Sequence, residues 1–280
     1  MIDAVDTIVA CMHPPADGRD VQRIQTAHRM RLTEFWRVEA GARLLEIGCG
    51  QGDTTAVLAY AVGPTGHVHG VDAAAPDYGA PVPIGEAAQR LLTSALGQQI
   101  RIDFGFDVLA PEVSFGPRHF DGVVLSHCSW YLKSPDELLA ILRRVRPWAT
   151  HLYFAEWDPR VRTLEQLPHL MAAVTQAQVE CFKDASQSNI RTLFTPDDIK
   201  EIATAAGWDV QQETSIRSPD MQDGRWETEH TLQHYPTELP HLRALSPKFA
   251  ALVQSQLGLL RDAVARFPVQ PLGTWAFVAK

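Results

Sequence analysis

The 280-residue chain has only four cysteines, Cys11, Cys49, Cys128 and Cys181, and no C-x-x-C pair. A disulfide framework and a cysteine-rich zinc site are therefore not expected, and reduced thiols fit best. No run approaches 18 apolar residues, which argues against a transmembrane helix. Positive charge is scarce as well: 25 Lys plus Arg stand against 33 Asp plus Glu, a formal net charge of −8. So acidic a surface repels phosphate backbones, which disfavours nucleic acid as a partner. Asp3 and Asp6 stand where a secretory leader would carry positive charge. These absences predict a cytoplasmic protein with neither membrane nor nucleic acid among its partners; whether it is a monomer or homodimer is left open by the sequence.

What is present alternates in period. Residues 1–19, rich in Pro, Gly and Asp, read as a loose lead-in. From Asp20 on, Val21, Ile24, His28, Leu32 and Phe35 recur every three or four residues, one face of an amphipathic helix that ends before Gly41. His28 on that apolar stripe reads as a packed histidine. Short apolar runs then predict strands at Arg43–Ile47, His67–Val71, Ile100–Phe104, Phe120–Leu125 and His151–Ala155. Helical patterns separate them, one opened by Ser134-Pro135-Asp136-Glu137 with an N-cap and a first-turn proline. That alternation predicts an α/β protein, a Rossmann-like, doubly wound and mostly parallel sheet of about seven strands. Trp208–Ile216 and Thr274–Val278 supply the last two strands. The domain reading is an N-terminal helical cap, 1–40, and a main domain, 41–280. Helical insertions near 160–190 and 217–268 are expected to form a lid.

The most informative stretch is Glu46-Ile47-Gly48-Cys49-Gly50-Gln51-Gly52-Asp53, where a strand enters a turn and a helix begins. Glycines there permit positive φ and close approach of a ligand to the main chain. Asp72 follows Gly52 by twenty residues at the end of the second strand, where a carboxylate can accept both ribose hydroxyls. Loop and acid together point to a nucleoside-containing ligand. The G-x-G-x-x-G of dinucleotide folds is missing, and Asp53 at the helix start would repel a pyrophosphate yet suit a cationic ligand. An NAD(P)-dependent oxidoreductase is thereby disfavoured.

Over residues 40–160 the sequence resembles the class I S-adenosylmethionine-dependent methyltransferases, whose first motif has the form E/D-x-G-x-G-x-G. The resemblance implies S-adenosylmethionine as cofactor, held by Glu46, Gly48, Gly50, Gly52, Asp72, Ser126 and, on the adenine, Asp107. A protein of the same fold that binds the cofactor without methylating would carry the same motif. The N-P-P-Y or D-P-P-Y motif used on nucleic-acid amino groups is absent, so a small-molecule acceptor is expected. The ends of the fourth and fifth strands bring His127, Trp130 and Tyr131 towards Glu156, Trp157 and Asp158. Such a cleft suits methyl transfer to an O or N atom of a small aromatic or heteroaromatic metabolite, as in secondary metabolism. His127 is the candidate base, with Glu156 orienting it or replacing it. Trp226, His230 and His234, spaced by four, are expected on one helix face, with Trp226 turned inward over the acceptor. His230 and His234 have a chelating spacing, but with no third ligand in sight no metal is assigned.

Overall fold

The computed structural model describes residues 2–12, 18–79, 82–183, 186, 188–242 and 245–280. Its centre is one seven-stranded sheet in the order β3-β2-β1-β4-β5-β7-β6. The strands are β1 (Arg43–Ile47), β2 (His67–Asp72), β3 (Ile100–Phe104), β4 (Phe120–Ser126), β5 (Ala149–Asp158), β6 (Val210–Ile216) and β7 (Gly273–Ala279). β1 to β5 are parallel, and β7 slots antiparallel between β5 and β6. The order reverses between β1 and β4, so the C-terminal ends of these two strands flank the crevice where open α/β sheets bind ligands.

Strand alternation builds two cores, one on each face of the sheet. Leu44, Val124, Tyr153 and Ala276 point to one face, where they meet helices α1 (Ile2–Cys11), α2 (Arg19–Trp36), α3 (Asp53–Val62) and α4 (Ile84–Leu92). Leu45, Val123, Leu125, Leu152, Phe154 and Phe277 point to the other, packed by α5 (Pro135–Val145) and α7 (Pro196–Ala205). On α5 the spacing Leu138, Ile141, Leu142, Val145 buries one complete face. Each of those side chains is worth about 1.5–3 kcal/mol on burial. The predicted cap forms, Ser134 Oγ accepting from the Glu137 amide, and at the start of α7 Thr195 with Asp198 makes a capping box behind Pro196.

Two features depart from the sequence reading, and a third, the helical insertions, takes the expected form. The lead-in is not loose: Ile2–Cys11 is helical, Val5 and Val9 are buried, and Ile8, Cys11 and Met12 join the core with α2 and α3. The period of three to four was there, and the Pro-rich residues 13–17 that obscured it lie outside the described residues. β5 runs three residues further than its apolar core, through Asp158, because β7 pairs with it as far as Gly273. The insertions form a helical module of α6 (Leu167–Glu180), α8 (Asp223–Glu238) and α9 (Pro247–Arg266). Val179, Tyr235, Leu239, Val253 and Leu257 make its own small core. No helix among the described residues is long and apolar enough to cross a membrane.

Candidate active site

The turn between β1 and α3 is held by backbone conformation. Gly48, Gly50 and Gly52 all have positive φ, at +74°, +50° and +88°. A Cβ on Gly48 would come within 2.7 Å of Cys128, and one on Gly52 within 2.8 Å of Leu91, so these two also serve packing. Gly50 differs. A Cβ there would meet nothing within 4 Å, so the backbone faces open space. Beside it, Asp72 Oδ2 accepts the Gly50 amide at 2.8 Å and Oδ1 accepts the Ala74 amide at 2.9 Å. The carboxylate is thus oriented over the loop, half-buried.

Glu46 lies beneath the loop, 2 % exposed, and accepts the Thr55 hydroxyl. Burial pushes its carboxyl up to about 8, against the downward pull of that hydrogen bond and of Arg29. It supports the turn from below instead of opening onto the cleft. Asp107 is exposed and uses Oδ1 to cap its own turn through the Leu109 amide at 2.8 Å. Ser126, the last residue of β4, keeps a buried Oγ with no partner among the described residues.

Sequence reasoning missed the contribution of α2. Gln22 donates to Asp53 Oδ1 at 2.8 Å, and Arg29 Nη2 stands 3.9 Å from Asp53 Oδ2. Asp53 is therefore partly neutralised by the protein's own cation. Arg29 Nε remains buried and without a partner among the described residues. The signal was present as polar Gln22, Gln25 and Arg29 at spacings of three and four, one face of α2. These features fit S-adenosylmethionine: Asp72 for the ribose hydroxyls, the bare Gly50 backbone beside it, and the unspent donors of Arg29 and Ser126. Arg29 would take the carboxylate of the methionine part.

At the ends of β4 and β5 a second constellation forms. β4 stops at Ser126, opposite Ala155, while β5 continues, so Glu156 reaches over the open end of β4. Its Oε2 accepts from the Ser129 amide (2.9 Å), the Ser129 hydroxyl (2.7 Å) and the Trp130 amide (3.4 Å). Oε1 accepts the Trp157 amide at 2.9 Å and lies 3.6 Å from His127 Nδ1. His127 itself has φ +52°, an uncommon conformation for a residue with a side chain. Its amide bonds to the Ala155 carbonyl at 2.9 Å, which fixes the turn. The ring sits 4.5 Å from that of Trp157, and Trp157 lies 5.5 Å from His169. His28 from α2 closes the group, its Nε2 3.1 Å from His127 Nε2. The structure thus joins His127, Glu156 and Trp157 as expected, and adds His28.

Other expected positions fall elsewhere. Asp158 is committed to Arg160 in a two-pronged pair at 2.8 and 3.0 Å. Trp130 is 2 % exposed within the core under the cleft, and its carbonyl holds the Arg191 and Thr192 amides. Tyr131, 39 % exposed, is on the surface beside it. The buried face of α8 is Gly224, Thr228, Thr231 and Tyr235, which turns Trp226 (46 % exposed), His230 and His234 outward. The reversal has a simple cause: Gly224 lets α8 pack closely on Gln270 and Pro271, and Thr231 and Glu227 bond to Gln176 of α6. Among the described residues no cluster of three or more His, Cys, Asp or Glu could hold a metal.

A family profile described as a methyltransferase domain matches residues 21–213. Methyltransferase phomM' and methyltransferase phomM, both of Diaporthe leptostromiformis, are 28 % and 29 % identical over 263 residues, spanning 80 % of this chain and 67 % of theirs. The crystal structure of a cyclopropane-fatty-acyl-phospholipid synthase-like protein from Lactobacillus casei ATCC 334 matches with a TM-score of 0.89 and 35 % identity, covering 100 % of both chains.

Proposed function

Since this chain belongs to the class I S-adenosylmethionine-dependent methyltransferases that act on small molecules, we propose that its acceptor is a small aromatic or heteroaromatic metabolite, methylated on O or N. The observation that supports this reading is the stack at the ends of β4 and β5, with the Trp157 ring 4.5 Å from His127 and nearly parallel to His28 at 6.4 Å. Flat, apolar walls around a few polar atoms suit a flat ligand. The match to a methyltransferase profile counts against the oxidoreductase alternative.

When bound, S-adenosylmethionine supplies an electrophilic methyl group. The residues of the chain do the rest. Asp72 and the Gly50 backbone hold the nucleoside part, and Arg29 the carboxylate end. Trp157 orients the acceptor, which is most of what an in-line transfer to a good leaving group requires. His127 serves as base through Nε2, while Glu156, fixed by its three backbone amides and Ser129, faces Nδ1 and stabilises the imidazolium that forms. Incubation with S-adenosylmethionine and a panel of phenols, indoles and aromatic amines, read by mass spectrometry, should show gain of one methyl. His127→Ala should then lower kcat by roughly 10²–10⁴-fold with cofactor affinity intact. Preference for an aliphatic or lipid acceptor would refute the aromatic reading, and a kcat loss below about tenfold would remove the base.

A further inference from the structure

His28 is fully buried, comes from α2, and bridges to three residues far away in sequence. Its Nδ1 is 2.7 Å from Ser218 Oγ, its Nε2 3.1 Å from His127 Nε2, and the same Nε2 is 3.4 Å from Thr274 Oγ1. Ser218 Oγ in turn accepts from Arg31 Nη2 at 2.7 Å. The charge of Glu156 favours one of the two possible arrangements of protons along these links. Glu156 accepts from four donors and its Oε1 lies 3.6 Å from His127 Nδ1, which has no hydrogen-bond partner among the described residues; the carboxylate favours the tautomer with the proton on Nδ1 over one that points a lone pair at it. A neutral His127 then has its lone pair on Nε2, and His28 must donate to it. Burial, with His127, Arg29 and Arg31 adding, holds His28 well below the ordinary imidazole value, so it is neutral. Having given its proton to the Nε2 side, His28 accepts at Nδ1 from the Ser218 hydroxyl. Donation runs in one direction, from Arg31 through Ser218 and His28 to His127, whose Nδ1–H faces Glu156 Oε1 at 3.6 Å, beyond hydrogen-bond length.

The consequence concerns the lone pair that a base must offer. In this state His127 Nε2 is filled by the protein itself. We propose that His28 is a positioning residue that reserves this site: its Nε2–H occupies the lone pair of His127 until an acceptor O–H or N–H replaces it, and it then turns to Thr274. Thr274 is buried, 1 % exposed, and already stands within 3.4 Å of the nitrogen that must find a new partner. The exchange replaces one hydrogen bond by another, so the states with His28 on His127 and on Thr274 stay near balance. A ligand without a donor cannot make the exchange, which selects for acceptors bearing O–H or N–H over those bearing only carbon nucleophiles. The inference rests on the reading of His127 as the base.

The test needs no acceptor. In ¹⁵N-labelled full-length protein, long-range correlation of the imidazole nitrogens should show His127 protonated at Nδ1 and His28 at Nε2. Diethyl pyrocarbonate, which acylates only a free imidazole lone pair, should modify His127 slowly in the wild type, as mapped by peptide mass spectrometry. His28→Leu fills the same space without a donor and should raise that rate roughly 5- to 10-fold, the effect of one hydrogen bond. His28→Gln restores an N–H donor and should keep His127 protected. A proton on His127 Nε2 in the wild type, or equal reactivity in the Leu and Gln variants, overturns the proposal. Should His28→Leu fail to fold, the wild-type tautomers alone decide. Failure of the base reading looks different: His127→Ala would turn over normally while the tautomer pattern stayed as described.

Discussion

Glu46 offers the sharpest quantitative test, because a buried acid beneath the cofactor loop couples stability to pH. Its carboxyl is raised by burial from 4.5 to about 8 in the folded chain. Folding therefore binds an extra proton between those two values. Stability is fully present below about pH 4.5 and falls as pH rises, the loss being complete once pH passes the folded value. At about 1.4 kcal/mol per pH unit the ceiling of the effect is roughly 5 kcal/mol. Relaxation around the charge lowers this, so about 2–4 kcal/mol is the expected loss. Glu46→Gln is the right comparison, since an uncharged amide keeps an oxygen for the Thr55 hydroxyl that now bonds to Glu46. Urea unfolding of both proteins at a series of pH values from about 5 to 9 should give profiles that meet at the acid end. The wild type should fall progressively below Glu46→Gln towards the alkaline end. Parallel profiles across that window would refute the reasoning, whatever the absolute stabilities.

Asp72→Ala should weaken S-adenosylmethionine binding by at least about 2 kcal/mol, since charge-assisted hydrogen bonds of roughly 1.5–3 kcal/mol each are lost; unchanged affinity in calorimetry would end the assignment. Gly50→Ala meets no neighbour but must hold φ +50°, so a stability loss of about 1–2 kcal/mol is expected together with a clear loss of cofactor affinity. Binding at wild-type strength would show that the open space over Gly50 is not used. Trp226→Ala, on the exposed face of α8, should change stability by no more than about 0.5 kcal/mol and leave turnover alone. A raised KM for the acceptor would bring that residue back into the cleft.

Much of this protein can be read from sequence because the relevant interactions are local. A strand of five residues, three glycines at alternate positions and an acid twenty residues on are fixed by backbone conformation and by the length of one βαβ unit. The Ser134 and Thr195 caps are local in the same sense, each closing within three residues. Tertiary structure decided what depends on distant partners. β5 extends to Asp158 only because β7 lies beside it, and that extension carries Glu156 over the end of β4 to face His127. Trp226 and Tyr235 lie on the same helix, yet Tyr235 is buried and Trp226 is not. Periodicity marks a helix face but does not say which face its neighbours will cover. The same holds for His28, an apolar-stripe residue in sequence, which gains its chemistry from His127, Ser218 and Thr274, residues 99, 190 and 246 positions away. Contacts closed across such separations exist only once the sheet has assembled, and no local pattern encodes them.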